Sequence, residues 1–350
     1  YGYDDAGREQ TEEVFARVFG TEDALVRHQF GSGTQVLATC LKALLGPGDD
    51  MLIVTGRPYD SLLETLGTES PSPHRQSLVS RGVSIRTLDL LPDGKPDLDS
   101  ITNALVPSTR LVYIQKSRGY SDRPALRNAE LEAVVDAVRR ISSDPVIFVD
   151  HCYCEFVEED EPPARGADVI AGSLIKNPGS GIAPCGGYVG VGRHVGPSLG
   201  LTRELLQGLY FAPSVVASAM QGAIHLAALF QLAGYFVTPG PLEERGDIVQ
   251  LVRLSSPEKL EVFCQAIQSV SPVDSYVTPV PAPMPGYDCD VIMASGSFIQ
   301  GSTIELSADG PLREPFDVFV QGGLTFENAR LGAMKALEAV RRLEKGDRHG

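Results

Sequence analysis

The sequence predicts a mixed α/β fold, a mostly parallel sheet domain followed by a smaller α+β domain, and three observations carry that prediction. Between residues 24 and 192, short apolar runs alternate with helix-length amphipathic stretches, as parallel strands joined by crossover helices do. The runs are continuously apolar, the mark of strands covered on both faces. From about Val237 the alternation stops and strand-like runs predominate. The expected division is an N-terminal arm and helix over 1–23, a large domain over 24–236 and a small domain over 237–350.

Each element has a local reason. Gln10 to Phe19 places Val14, Phe15, Val18 and Phe19 on one helical face, and Gly20 stops it. Ala24-Leu-Val is a short strand. Gly31-Ser-Gly-Thr34 opens an apolar helix from Gln35 to Leu45, ended by Gly46-Pro-Gly. Met51–Thr55 reads as a buried strand leading through Gly56-Arg-Pro-Tyr59 into a helix over Asp60–Leu66. Thr68–Gln76 is Ser/Pro-rich and reads as a surface loop. Ser84–Leu90 is a strand, Leu98–Leu105 a helix, and Leu111–Gln115 a strand ending at Lys116-Ser117-Arg118. Asn128 is the expected cap of a helix over Ala129–Ile141. Val146–Val149 is a strand ending in Asp150, and the stretch from Asp168 reads as a short apolar strand with a hydroxyl at Ser173, running into Lys176-Asn-Pro-Gly. Gly187–Val191 fits an antiparallel or edge strand.

A long helix over Pro213–Gly234 follows. Phe211 to Phe236 is apolar, but Pro213, Gln221, His225 and Gln231 interrupt it, which argues for a buried helix rather than a membrane span. The small domain is expected to contain strands at Ile248–Leu254, Val291–Ser295, Thr303–Ser307 and Phe316–Val320. Its helices are expected at Pro257–Val270 and Phe326–Leu343, with Pro279-Val-Pro-Ala-Pro-Met-Pro285 as a stiff connection.

Bulk properties narrow the function. The 350 residues are 43% hydrophobic and 21% charged, with a formal net charge of −15. An acidic balance does not favour nucleic acid or an anionic membrane surface. Six cysteines without a CxxC pair suggest reduced thiols in a reducing compartment, and neither a disulfide framework nor a metal site. The first residues show no targeting signal, which points to the cytoplasm, or to an organelle if a leader precedes this sequence.

Ligands of parallel sheets bind at the carboxyl ends of the strands. The Gly31–Thr34 turn, Tyr59, Ser117-Arg118, Asp150 and Lys176 all fall at such ends. A glycine turn opening a helix suits an anion, although alone it is equally an ordinary helix start. Tyr59 could stack on a flat ring or cap the core. A lysine at the mouth of an apolar strand is costly to bury as an ammonium, and a desolvated lysine forms Schiff bases with aldehydes. With a strand-end aspartate 26 residues upstream, Lys176 forms the pair that pyridoxal phosphate (PLP) chemistry needs. The carboxylate keeps the pyridine nitrogen protonated and the lysine carries the aldehyde.

At these residues the chain resembles the fold type I PLP-dependent enzymes (aspartate aminotransferase-like) of the Cys/Met metabolism group. Within that group it is most similar to the aluminium resistance, or methionine γ-lyase-like, branch. The resemblance rests on GYDDAGRE (2–9), FGTEDALVRHQFGSGT (19–34), IQKSRGY (114–120), VDHCYCEFVE (149–158), GSLIKNPGSGIAPCGGY (172–188), SPVDSYVTPVPAPMPGY (271–287) and IELSADGPLREPFDVFVQGGLTFENARLG (304–332). It implies that Lys176 holds PLP and shuttles protons, that Asp150 pairs with the pyridine nitrogen, and that Tyr59 stacks on the ring. It assigns the phosphate to Gly33, Thr34 and Ser173. It assigns the substrate carboxylate to Arg313, which could equally be a surface arginine between two prolines. Tyr3 and Arg8 stand where the wider family has a Tyr-x-Arg pair reaching into a neighbouring subunit, although the spacing here is longer. The family carries a helical segment before the Tyr3 motif and a longer stretch between Arg193 and Arg203, and its branch more usually has Asn and Gly where His151 and Cys154 stand.

The activity implied is a carbon–sulfur lyase of the methionine γ-lyase or cystathionine β-lyase type. It would act on a small sulfur-containing amino acid and give a thiol, a 2-oxo acid and ammonia, with Lys176 and Tyr59 as catalytic groups. The alternatives are another PLP-dependent amino-acid enzyme such as an aminotransferase, or a PLP-fold binding or regulatory protein with little turnover. The fold family further implies a homotetramer built from dimers that share their sites.

Overall fold

The structure is a computed structural model that describes residues 6–69, 74–191, 203–284, 287–299 and 301–346. Contacts divide the chain into two compact units, residues 1–174 with 185–206 and residues 175–184 with 207–350. The expected boundary at 236/237 falls after the long helix, whereas contacts group that helix, from Gln207, with the second unit.

The first unit opens with α1 (Ala6–Phe19), β1 (Asp23–Arg27), α2 (Gly33–Leu44), β2 (Asp50–Ile53), α3 (Asp60–Leu66) and β3 (Ser84–Thr87). It continues with α4 (Leu98–Ala104), β4 (Thr109–Gln115), α5 (Asn128–Ile141), β5 (Val146–Asp150), β6 (Val169–Ser173) and β7 (Gly187–Val191). The seven strands form one sheet in the order β1-β7-β6-β5-β4-β2-β3. Neighbours from β6 to β3 pair in parallel, and β7 pairs antiparallel with both β6 and β1. Two reversals leave β1 running with β6, so the Gly31–Thr34 turn follows β1 at the same rim where β5 and β6 end.

The parallel strands are apolar because both faces are covered. Leu111, Val112, Tyr113 and Ile114 of β4 and Ile147, Phe148 and Val149 of β5 are buried, each worth roughly 1.5–3 kcal/mol. Asp50 closes the start of β2 by accepting from Arg86 Nε at 2.8 Å and Thr109 Oγ1 at 2.9 Å. Helix α5 begins one residue earlier than expected. Arg127 holds the cap position, and its N–H is accepted by Glu130 at 3.0 Å. Asn128 is buried instead, its N–H donated to Glu158 at 3.1 Å.

The second unit contains α6 (Arg203–Leu232), β8 (Phe236–Thr238), β9 (Gln250–Arg253), α7 (Pro257–Ser269), β10 (Ala282–Pro283), β11 (Asp290–Ser295), β12 (Ser307–Pro311), β13 (Asp317–Gln321) and α8 (Phe326–Glu344). Its six strands form an antiparallel sheet ordered β10-β11-β12-β13-β9-β8. Helix α6 starts ten residues before the expected Pro213, which lies inside it. By length and composition α6 could cross a membrane, but Ala212, Val216, Ala219, Ala223, Leu226 and Phe230 recur every three or four positions and are buried. Leu226 and Phe230 belong to the apolar core of this unit, with Phe263 of α7 and Leu337 of α8.

One strand is displaced from its expected place. Thr303–Glu305 is a turn, and the strand is Ser307–Pro311. The cause is Glu305, whose carboxylate accepts the N–H groups of Phe298 at 2.8 Å and Ile299 at 2.9 Å and folds its segment back.

Candidate active site

Asp150 is the last residue of β5 and is buried. Its Oδ1 accepts the Cys152 N–H at 3.2 Å, and its Oδ2 accepts the Tyr113 hydroxyl at 3.2 Å. Both bonds favour the ionised carboxylate. Burial, with Asp150 beside it, pushes the Tyr113 phenol well above its ordinary range, so it stays a donor. Tyr113 is fixed on β4 by parallel stacking on Phe148, with centroids 5.8 Å apart and an interplanar angle of 13°.

Tyr59 leaves β2 and caps α3. Its N–H donates to Gln115 Oε1 at 3.1 Å, and its hydroxyl donates to Thr34 Oγ1 at 3.2 Å, which lies 3.1 Å from Ser61 Oγ. Burial and Asp150 raise this phenol well above its ordinary value too, against the Thr34 hydrogen bond. A phenol held protonated can donate a proton but is a poor base at neutral pH.

Gly33 opens α2. Ser32 caps the helix by accepting from Gln35 N–H at 3.1 Å, while the amides of Gly33 and Thr34 have no intrahelical acceptor. A Cβ on Gly33 would lie 3.2 Å from Ser173 Cβ and 3.6 Å from Cys152 Sγ. The open end of the helix is thus set beside the Ser173 hydroxyl, a cradle that a side chain would fill. These groups fit PLP: two free amides and a hydroxyl for a phosphate, a buried carboxylate for a pyridine nitrogen, and an aromatic ring on the same rim.

Lys176 follows Ser173 by three residues, at the start of the short helical turn Asn177–Gly179. Its segment is held within the second unit. Ser180 Oγ donates to the Gly208 carbonyl at 2.8 Å, and Ser302 Oγ donates to the Ile175 carbonyl at 3.4 Å.

The chain matches the methionine γ-lyase family model over residues 1–341. The chain belongs to the methionine γ-lyase family. The YnbB protein of Bacillus subtilis is 43% identical, covering 97% of this chain and 85% of its own. A Lactobacillus delbrueckii protein encoded 5′ of glnA is 36% identical, covering 83% of this chain and 100% of its own. Among solved structures, a carbon–sulfur lyase involved in aluminium resistance from Clostridium novyi is 43% identical with TM-score 0.90, covering 97% of this chain and 84% of that one. Corynebacterium glutamicum MetB matches at TM-score 0.64 and 16% identity, a likeness of fold alone, covering 95% and 84%. This methionine γ-lyase family member therefore has the fold type I architecture that its sequence predicts.

Within the first unit, the structure brings Gly33 to Ser173, Thr34 to Tyr59 and Asp150 to Tyr113. Arg313 lies in the second unit and binds Asp288 Oδ1 at 3.1 Å. Tyr3 lies outside the described residues, and so does the side chain of Arg8. Sequence reasoning missed Tyr113, Gln115 and Cys152. The signal for the first two was available: polar atoms at alternate positions near the end of an otherwise apolar strand.

Proposed function

We propose that this family member is a PLP-dependent carbon–sulfur lyase acting on a small sulfur-containing amino acid. The observation that carries the reading is the buried Asp150 carboxylate, fixed by Tyr113 and Cys152 at the end of β5. The family match and the Clostridium novyi relative support the lyase assignment.

When bound, PLP supplies an electron sink that lets an amino acid lose its α-proton. The chain's own residues do the rest. Asp150 accepts a hydrogen bond at its carboxylate oxygens and holds positive charge on a ring nitrogen. The Gly33 and Thr34 amides and the Ser173 hydroxyl hold a phosphate. Lys176 Nζ carries the cofactor and moves the proton at the substrate α-carbon. The Tyr59 hydroxyl, kept protonated, donates to the departing sulfur. Arg313 would clamp the substrate carboxylate after exchanging its partner Asp288. The reading includes a homotetramer of two dimers, which light scattering tests.

A second reading, aminotransfer, is favoured by local similarity to the histidinol-phosphate aminotransferase of Shouchella clausii, 31% over 98 residues. The test is the near-ultraviolet and visible absorption spectrum with PLP, before and after borohydride, beside Lys176→Ala. The expected result is a yellow band that borohydride removes and the variant lacks. Sulfur amino acids should then release thiol, 2-oxo acid and ammonia together. Absence of any band would overturn the reading, and an amino-group transfer without thiol would favour the second.

A further inference from the structure

Behind Asp150 the chain turns through residues 151–156, and four titratable side chains meet there away from the groups assigned above. His151 Nδ1 lies 3.0 Å from the Tyr188 hydroxyl, which donates to Glu155 Oε1 at 2.8 Å. The other ring nitrogen, Nε2, lies 2.9 Å from Glu161 Oε2, an ion-pair distance without the alignment of a hydrogen bond. His151, Glu155 and Tyr188 are fully buried. The order is linear: Glu161, His151, Tyr188, Glu155.

The two hydrogen bonds take one proton each, and Nε2 needs a third, because without it a nitrogen lone pair would face the Glu161 carboxylate at 2.9 Å. The tyrosine brings one and the imidazole up to two, so an imidazolium between two carboxylates satisfies every link. A neutral imidazole with a protonated Glu155 does so equally, with each bond through Tyr188 reversed. Both arrangements carry three protons and one net negative charge, and removing a proton leaves one contact with no hydrogen. Burial raises the Glu155 carboxyl to about 7, against the opposing influence of His151, so the third proton is held near neutrality.

The surroundings fix this chain. Tyr188 stands opposite Gly172 in the β6–β7 ladder, where a Cβ would lie 2.6 Å from its hydroxyl. Helix α1 supplies Phe19, stacked on Tyr188 at 4.9 Å and 7° and edge-on to His151 at 5.8 Å. The titratable groups facing Tyr188 and Glu155 are Cys152 of the turn, His151 and Glu161. The link to Asp150 is direct. His151 N–H donates to the Ala171 carbonyl at 3.0 Å, prolonging the β5–β6 ladder, and the next amide is the Cys152 donor to Asp150. Tyr153 and Phe156 sit at φ 70° and 63°, a left-handed conformation that side-chain-bearing residues keep only when their surroundings impose it.

We propose that the Glu161–His151–Tyr188–Glu155 chain, through its three shared protons, positions the 151–156 turn and with it the Asp150 carboxylate for the cofactor. It rests on the reading of Asp150 above. Loss of the third proton loosens the turn and weakens cofactor binding.

Glu155→Gln tests this, because its amide donates in the place of the protonated acid but cannot titrate. The dissociation constant of PLP and the thermal midpoint of the cofactor-free protein are measured from pH 6 to 8.5 for wild type, Glu155→Gln and Tyr188→Phe. Relative to Glu155→Gln, the wild-type dissociation constant should rise about tenfold across that range, the smallest effect expected from one hydrogen bond to a charged group. The wild-type thermal midpoint should fall as pH rises through about 7, and that of Glu155→Gln should not. Tyr188→Phe should bind PLP weakly at every pH. Parallel wild-type and Glu155→Gln profiles in either series would overturn the proposal. If wild type binds no PLP, the functional reading fails, while the thermal series still decides whether the proton chain exists.

Discussion

Gly172→Ala is expected to be severely destabilising, although nothing in the backbone forbids it. Gly172 does not have a positive φ, and at a compatible site Gly→Ala stabilises by about 0.4–1 kcal/mol through the unfolded chain. The neighbour reverses the sign. The new Cβ would meet the Tyr188 ring at 2.6 Å from its hydroxyl, 2.7 Å from Cε1 and 2.8 Å from Cζ. Relief needs a displacement of about 1 Å, and Tyr188 is fully buried against Phe19. Overpacking costs about 1–3 kcal/mol, and disturbing the contacts of the hydroxyl with Glu155 and His151 about 1–3 kcal/mol more. Less the unfolded-chain gain, the expected loss is about 1–5 kcal/mol. The chain contains no tryptophan, so urea unfolding of the cofactor-free protein should be followed by far-ultraviolet circular dichroism. The test is a cycle with Tyr188→Ala. In that background Gly172→Ala should cost under about 1 kcal/mol, since the clash is gone. Equal costs in both backgrounds would refute the argument.

Three further outcomes follow from local geometry. Tyr113→Phe keeps the stacking on Phe148 but removes a donor to Asp150; PLP should bind about three- to tenfold more weakly by spectroscopic titration, with the thermal midpoint of the cofactor-free protein little changed. Burial raises the Asp50 carboxyl, but hydrogen bonds from Arg86 and Thr109 outweigh it and hold it below its ordinary value. Its contribution is therefore present above the unfolded-chain pKa and lost as pH falls through the lower folded one, so Asp50→Asn should flatten the fall in urea midpoint between about pH 5 and 3. Glu305→Ala should free the Phe298 and Ile299 amides at a cost of about 2 kcal/mol, and hydrogen exchange at those two amides should accelerate.

Much of the fold was legible because the first unit uses strands of unbroken apolar residues, and Asp150 and Lys176 stand out against them. The errors have physical causes. Ile304 and Leu306 alternate with Glu305 as in a strand, yet a carboxylate that captures two backbone N–H groups makes a turn of the same letters. The strand that follows, Ser-Ala-Asp-Gly-Pro, looks like a turn, but Asp309 accepts Gln321 Nε2 at 2.8 Å and is buried as a result. Asn128 has the right chemistry for a cap, but Glu130 closes the helix one residue earlier. The buried proton chain was invisible for another reason. His151 and Tyr188 are 37 positions apart, and nothing in a Gly-Tyr-Val strand indicates that its tyrosine needs partners.

The reversed strand β7 also has a consequence for how the protein is made. Among the described residues, strand β1 joins its sheet only through β7, and Arg27 pairs with Gly187, 160 positions later. Closing so long a loop costs only about 0.6 kcal/mol more than closing one half its length, so the final structure bears little penalty. The order of events is another matter. A ribosome has delivered the first turn of α2 long before the strand that anchors its neighbour exists. The N-terminal end of that helix is thus set late, when residues beyond 187 emerge. A nascent chain would bring the start of α2 into place only after the rest of the parallel sheet had been synthesised.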